Sequence, residues 1–310
     1  MKGKNLNTEN KDINPETVSG FVSVCGRPNV GKSSLVNALI DENATIVSDE
    51  ARTTLHSIPC IRTENDRQII YVDTPGIHRP RGKIGEAMNS SAYRSWEDAD
   101  IILFVVDLKA GPGPGDEFIA DRLQEQDTHV IVAANKSDTV SKQRREELIG
   151  KYEEMTSFTV LPVSARQSTN LDQLQRKIVQ FLSPGPQFYD RETTIGRPLS
   201  FQCSERIRQP ILELTQEEVP HSTFVTIDRI ADGDDPGYKV VEATIHVERQ
   251  SQKGIIIGKG GQKIREIGKR ARPKLEELLD ADVYLDLFVT VEEDWTDRDE
   301  QLEAFGIIET

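Results

Sequence analysis

From Phe21 onward, short apolar runs alternate with amphipathic stretches. Phe21–Cys25, Gln68–Val72, Ile101–Val106, Val130–Ala134 and Thr159–Val163 are rich in Val or Ile and bounded by turn residues. Runs of this length, mostly apolar, predict strands covered on both faces. Between them, Lys32–Ile40, Asp116–Gln126, Ser141–Thr156 and Leu171–Leu182 read as helices. That rhythm predicts a doubly wound α/β domain with a mostly parallel sheet. Ser183-Pro184-Gly185-Pro186 stops the last helix, and the pattern changes after it. A helix near Arg197–Glu217 precedes two alternating strands, Phe224–Ile230 and Tyr238–Glu248, around the turn-rich stretch 232–237. Ile255-Ile256-Ile257, a glycine loop, a basic helix from about Gln262 to Leu279 and an apolar strand Val283–Val291 complete a smaller α+β domain. The predicted organisation is a disordered tail over 1–17, a first domain over 18–184, a linker over 185–199 and a second domain over 200–310.

Composition adds little until it is read locally. The 310 residues are 36% hydrophobic and 29% charged, as in ordinary globular proteins. The longest apolar run, Ile101 to Val106, is far short of the ~18 residues that span a bilayer. The first sixteen residues lack the apolar stretch of a secretory signal and are too acidic for a transit peptide. Cys25, Cys60 and Cys203 have no metal-binding spacing, so reduced thiols in a cytoplasmic protein are expected, with Cys25 a small core residue. A net charge of −14 argues against nucleic acid as a partner, unless the charge is unevenly distributed.

The chemistry begins at Gly26-Arg27-Pro28-Asn29-Val30-Gly31-Lys32-Ser33, which fits G-x-x-x-x-G-K-[ST] between a predicted strand and a helix. The backbone of such a loop wraps a β-phosphate, helped by the positive end of the helix. Lys32 would neutralise β- and γ-phosphates, and the Ser33 hydroxyl would ligate magnesium. Asn135-Lys136-Ser137-Asp138 selects the base: an aspartate here accepts from guanine N1–H and its 2-amino group, donors adenine lacks. Asn135 would buttress the loop and Lys136 would lie along the base. Ser164-Ala165-Arg166 would supply a backbone donor to guanine O6. Asp73-Thr74-Pro75-Gly76 follows a strand: Asp73 would hold magnesium through water and the Gly76 N–H would sense the γ-phosphate. Thr53 and Thr54 lie in a loop suited to a threonine that ligates magnesium only with GTP. Spacing does not decide between them, and Thr54 is the expected ligand. The loop from Ile77 to Arg94 would be the second switch. Four pieces in this order imply a GTP-hydrolysing protein.

These motifs, with Tyr71-Val72 before Asp73, resemble the Era family of bacterial ribosome-assembly GTPases from about Ser19 to Ile308. The resemblance implies a P-loop GTPase domain followed by a KH (type II) RNA-binding domain. Ser34 stands where that family often has threonine, a conservative departure that keeps it in the expected GTP-binding set, and the run Asp232–Asp235 is unusually acidic. Ile77 occupies the place where Ras-like proteins put a water-orienting glutamine, which implies slow intrinsic hydrolysis. In related GTPases the asparagine corresponding to Asn29 coordinates potassium. Asn29, Lys32, Thr54 and Gly76 are therefore the expected catalytic set, with Mg2+ on Ser33, Thr54 and Asp73, and K+ on Asn29.

Gly258-Lys259-Gly260-Gly261 carries the G-x-x-G loop by which KH modules clamp about four single-stranded nucleotides. From Arg249 to Lys274 nine basic residues stand against one acid, Glu266, a local charge of +8. Lys253, Ile257, Gly258, Lys259, Gly260, Gly261, Lys263, Ile264, Arg265, Lys269 and Arg270 are the expected RNA-binding residues. Ile255 to Ile257 and Ile264 are expected as an apolar floor under the bases. By resemblance the target is the 3′ end of small-subunit ribosomal RNA on the 30S subunit. No DNA partner and a monomer are expected. A membrane-associated signalling or cell-cycle GTPase, held at the cytoplasmic face through the basic helix, is the alternative.

Overall fold

In the computed structural model, residues 17–48 and 53–308 are described. The first domain is a six-stranded sheet in the order β2-β3-β1-β4-β5-β6. Its strands are β1 (Val18–Cys25), β2 (Ile58–Glu64), β3 (Arg67–Asp73), β4 (Ile101–Asp107), β5 (His129–Asn135) and β6 (Thr159–Pro162). All pairs are parallel except β2 with β3. The β4 strand shows why continuous apolar runs mark such a sheet. Ile101, Leu103 and Val105 enter one core and Ile102, Phe104 and Val106 the other. Helices α1 (Lys32–Ile40) and α5 (Leu171–Val179) cover the first face, and α2 (Gly82–Glu97), α3 (Pro114–Gln124) and α4 (Lys142–Thr156) the second. Because every parallel strand ends at the same edge, the loops after β1, β3, β5 and β6 converge there.

Two elements differ from expectation. The segment 77–94 is not one loop: α2 begins at Gly82. Its Gly, Ser and Asn residues lower helix propensity, but Ile84, Met88, Ala92 and Trp96 recur every four residues and are all buried. The strand β2 has no counterpart among the predicted strands, because it is a polar-ended edge strand carrying Pro59.

The segment 185–199 is no loose tether. Gln68, fully buried, accepts from the backbone N–H groups of Phe188 and Tyr189 at 2.7 and 3.0 Å and donates to the Tyr189 carbonyl at 2.8 Å. Ile61 N–H donates to Thr194 and Gly196 N–H to Pro59, so the segment covers the open edge of β2. The tail expected over 1–17 lies outside the described residues apart from Thr17, which is buried and accepts from Gly185 N–H.

The second domain is a three-stranded sheet, β7 (Thr223–Asp232), β8 (Tyr238–Val247) and β9 (Asp282–Val291), with β8–β9 parallel. Helices α6 (Leu199–Leu214), α7 (Gln250–Ile257) and α8 (Gln262–Leu279) cover one face. Past β9 the chain crosses back. Trp295, Leu302 and Ile307 pack with Phe224 against Leu55, Ile84 and Met88 of the first domain. Helix α9 (Asp299–Ala304) belongs to this return, and Lys83 meets Asp299 at 2.7 Å.

Candidate functional site

The loop after β1 turns into α1 through Gly31, whose φ of +92° lies in the left-handed region. A Cβ there would sit 2.4 Å from the Asn135 amide, so the turn admits only glycine. Lys32 is buried and curls back to the carbonyls of Gly26 (3.3 Å) and Arg27 (3.0 Å), and burial lowers its pKa. A cavity beside it is lined by Pro28, Asn29, Ser33, Ser34, Thr54 and Gly76.

Three oxygens from three segments meet at the cavity wall. Ser33 donates to Asp73 Oδ2 at 2.7 Å, and the Ser33 and Thr54 hydroxyls lie 3.2 Å apart. Thr53 lines the same cavity and its carbonyl accepts from Arg208, but the hydroxyl found beside Ser33 is that of Thr54. Asp73 is fully buried, its Oδ1 has no hydrogen-bond partner among the described residues, and burial pushes its pKa up to about 6. A buried carboxylate with an orphaned oxygen beside two hydroxyls is a hard-oxygen set that suits magnesium.

The base side is a cleft of ≈ 850 Å³ lined by Asn135, Lys136, Asp138, Ala165 and Arg166, among others. Asn135, buried at the end of β5, donates to the Val30 carbonyl at 3.0 Å and accepts from Ala165 N–H at 3.1 Å. One side chain thus fastens the phosphate loop to the loop after β6. Ser164 donates to Asp138 Oδ1 at 2.6 Å and orients the carboxylate expected to face guanine. Lys136 Nζ reaches the Asn29 carbonyl and Asp107 Oδ2, both at 2.7 Å.

Not every motif residue enters the cavity. Arg27 turns away to the buried Asp116 at 2.7 Å. Thr74 donates to the Val24 carbonyl at 2.7 Å, and Val30 and Pro75 are buried, so Val30 offers only its backbone to a ligand loop. Ile77 is buried in the apolar core beneath α2 and offers no polar group. Cys25 is buried and pushed up to about 12, an inert thiol. Sequence reasoning missed Asp107 and Asp116. Asp107 was within reach, because it ends a wholly buried strand at the edge where parallel sheets bind ligands.

In the second domain, Gly258, Gly260 and Gly261 all take positive φ between α7 and α8. Lys259 and Lys269 are exposed there and Lys253 is half-buried. The expected patch is trimmed in two ways. Arg270 pairs with Glu266 at 2.8 Å and lies 3.6 Å from Glu213, Lys263 donates to the Leu214 carbonyl at 3.3 Å, and Arg265 donates to the Gly260 carbonyl at 2.8 Å. Ile255-Ile256-Ile257 is no continuous floor, since it forms the end of α7. Ile256 is fully buried in the core, while Ile255 is exposed and Ile257 and Ile264 are half-buried.

A family model described as 50S ribosome-binding GTPase matches residues 21–136, and one described as KH domain matches residues 218–296. The chain is 43% identical over 295 residues to GTPase Era of Staphylococcus haemolyticus, covering 95% of this chain and 98% of that one. It is 42% identical over 292 residues to GTPase Era of Heliobacterium modesticaldum, covering 94% and 97%. Among solved structures it is similar to Era in complex with MgGDPNP and nucleotides 1506–1542 of 16S ribosomal RNA. The TM-score is 0.92 at 37% identity, covering 94% of this chain and all of that one. A substituted Aquifex aeolicus Era bound to GDP and aluminium fluoride matches at TM-score 0.91, again at 37% identity over 94% of this chain and all of that one.

Proposed function

The chain belongs to the Era family of GTPases, and from that premise we propose a switch that grips small-subunit ribosomal RNA and assists 30S biogenesis. It hydrolyses GTP. The observation that carries the wider reading is the union, in one chain, of the oxygen cluster at Ser33, Thr54 and Asp73 with the glycine loop at Gly258–Gly261. Its similarity to an Era bound to both MgGDPNP and the 16S segment supports the same pairing.

In this reading Lys32 exchanges its carbonyl partners for β- and γ-phosphate oxygens, and the Gly76 N–H donates to the γ-phosphate. Asp138, held by Ser164, accepts from guanine, and the Ala165 region supplies the donor to O6. Ser33 and Thr54, with Asp73 through water, would hold magnesium, which would supply charge neutralisation on the phosphate oxygens. Ile77 cannot orient water, so intrinsic hydrolysis is slow. Asn29 lines the cavity beside Gly76, and K+ held there would stand in for an arginine finger. Turnover is expected to be faster in potassium than in sodium buffer, and equal rates would remove the ion from the scheme.

RNA would lie over Gly258–Gly261, its phosphates met by Lys253, Lys259 and Lys269. A membrane role has only the basic face of α8 to recommend it, and Glu213 and Glu266 partly neutralise that face. The deciding experiment titrates a short RNA matching the 16S 3′ end against the protein with a GTP analogue, with GDP and without nucleotide. Sequence-dependent binding that favours the GTP form is the expected outcome. Affinity indifferent to sequence and nucleotide would leave the GTPase and remove the RNA-coupled switch.

A further inference from the structure

We propose that Arg208, in the second domain, is a positioning residue for the nucleotide site of the first. It lies on α6, is 1% exposed, and is gripped by Glu205 one turn away at 2.7 and 2.9 Å. Its Nη2 also donates to the Thr53 carbonyl across the domain boundary, and its buried Nη1 has no acceptor among the described residues. That carbonyl belongs to the peptide plane entering Thr54, whose hydroxyl stands 3.2 Å from Ser33 Oγ. Fixing the plane restrains where the Thr54 hydroxyl can go.

An Arg–Glu pair on one helical turn needs no burial, and on a solvated face it would contribute little. Here it is placed under the segment flanking Thr54. A buried guanidinium already one partner short loses more when a carbonyl leaves than a solvated one would. Neighbouring contacts point to the same segment: Arg206 donates to the Asn43 carbonyl, Arg197 to that of Ser57, and His56 Nε2 lies 3.0 Å from the Phe305 carbonyl. If the Thr54 hydroxyl engages magnesium only with GTP, Arg208 stabilises the GTP state selectively. By reciprocity, GTP then stabilises this docking of the second domain. The inference rests on the assignment of Thr54 above.

The test uses the full-length protein and fluorescent GTP-analogue and GDP, titrated over a range of magnesium, for wild type, Arg208→Met, Arg208→Lys, Thr54→Ala and the Arg208→Met/Thr54→Ala double variant. Arg208→Met should lose about tenfold in analogue affinity, the scale of one charge-assisted hydrogen bond present in one of two states. It should also need more magnesium for the analogue, while GDP affinity stays at the wild-type value. Arg208→Lys, which keeps the charge and its donors but not the planar fork, should recover part of the loss. In the Thr54→Ala background, Arg208→Met should cost nothing further. Loss of analogue and GDP affinity alike, or additive losses in the double variant, would reduce Arg208 to a structural residue and overturn the proposal. A Thr54→Ala protein with unchanged magnesium dependence would instead overturn the Thr54 assignment, and this inference with it.

Discussion

Asn135, Asp107 and Arg208 are single side chains that each fasten two segments lying far apart in sequence. Asn135 could be read as a buttress from its motif, and it bonds Val30 and Ala165 as that role demands. Asp107 has no motif. Its value comes from Lys136, which it holds at 2.7 Å over the Asn29 carbonyl. Asp107→Ala should therefore weaken GDP and GTP-analogue binding equally, by roughly five- to tenfold, since about 1 kcal/mol of partly buried pairing is removed in both states. Fluorescence titration of both nucleotides checks this, and wild-type affinity would show that Lys136 keeps its place unaided. The equal loss separates Asp107 from Arg208, whose removal should act on one nucleotide. The Thr53–Thr54 ambiguity was of another kind. Two adjacent threonines share every sequence property that bears on magnesium, and the contact of the Thr54 hydroxyl with Ser33 is what tells them apart.

At the scale of elements, legibility followed how much each segment depended on its own pattern. Lys32–Ile40 and Gln262–Leu279 match the observed α1 and α8 because glycines or a left-handed residue bound them at both ends. Helix α2 was hidden because its stability comes from tertiary burial of Ile84, Met88 and Trp96 rather than from propensity. The basic helix was legible as a helix, but its free charge was not. Glu213 lies on α6, 53 positions before Glu266 in sequence, yet both meet Arg270. This predicts unequal roles within the patch. Replacing Lys259 or Lys269 with alanine should weaken RNA binding across sequences and flatten its salt dependence. The slope should fall by roughly 0.7 for each phosphate of a single strand that is no longer neutralised. Arg270→Ala should change the slope less, because its charge is already matched. Binding isotherms at several salt concentrations separate the three, and a slope equally shallow in all would show that RNA displaces Glu213 and Glu266.

Across the whole molecule, the two domains meet beside the two segments proposed as switches. Leu55 and His56 follow Thr54, and Ile84 and Met88 lie on α2 just past Gly76. The residues that close on them, Phe224, Trp295, Leu302 and Ile307, come from both ends of the second domain. A change in either switch is therefore also a change at the domain boundary, which gives the proposed coupling of GTP to RNA a physical route. The sequence by itself determined the α/β order, the phosphate loop, the guanine motif and the glycine loop, because each is local: a short run sets its own backbone and carries its own chemistry. Which face meets the second domain, which threonine approaches Ser33, which basic residues lack an acidic partner and what covers the edge of β2 were decided by the tertiary structure. Those outcomes depend on pairs separated by scores or hundreds of residues, and such pairs leave no periodic or positional trace in one chain.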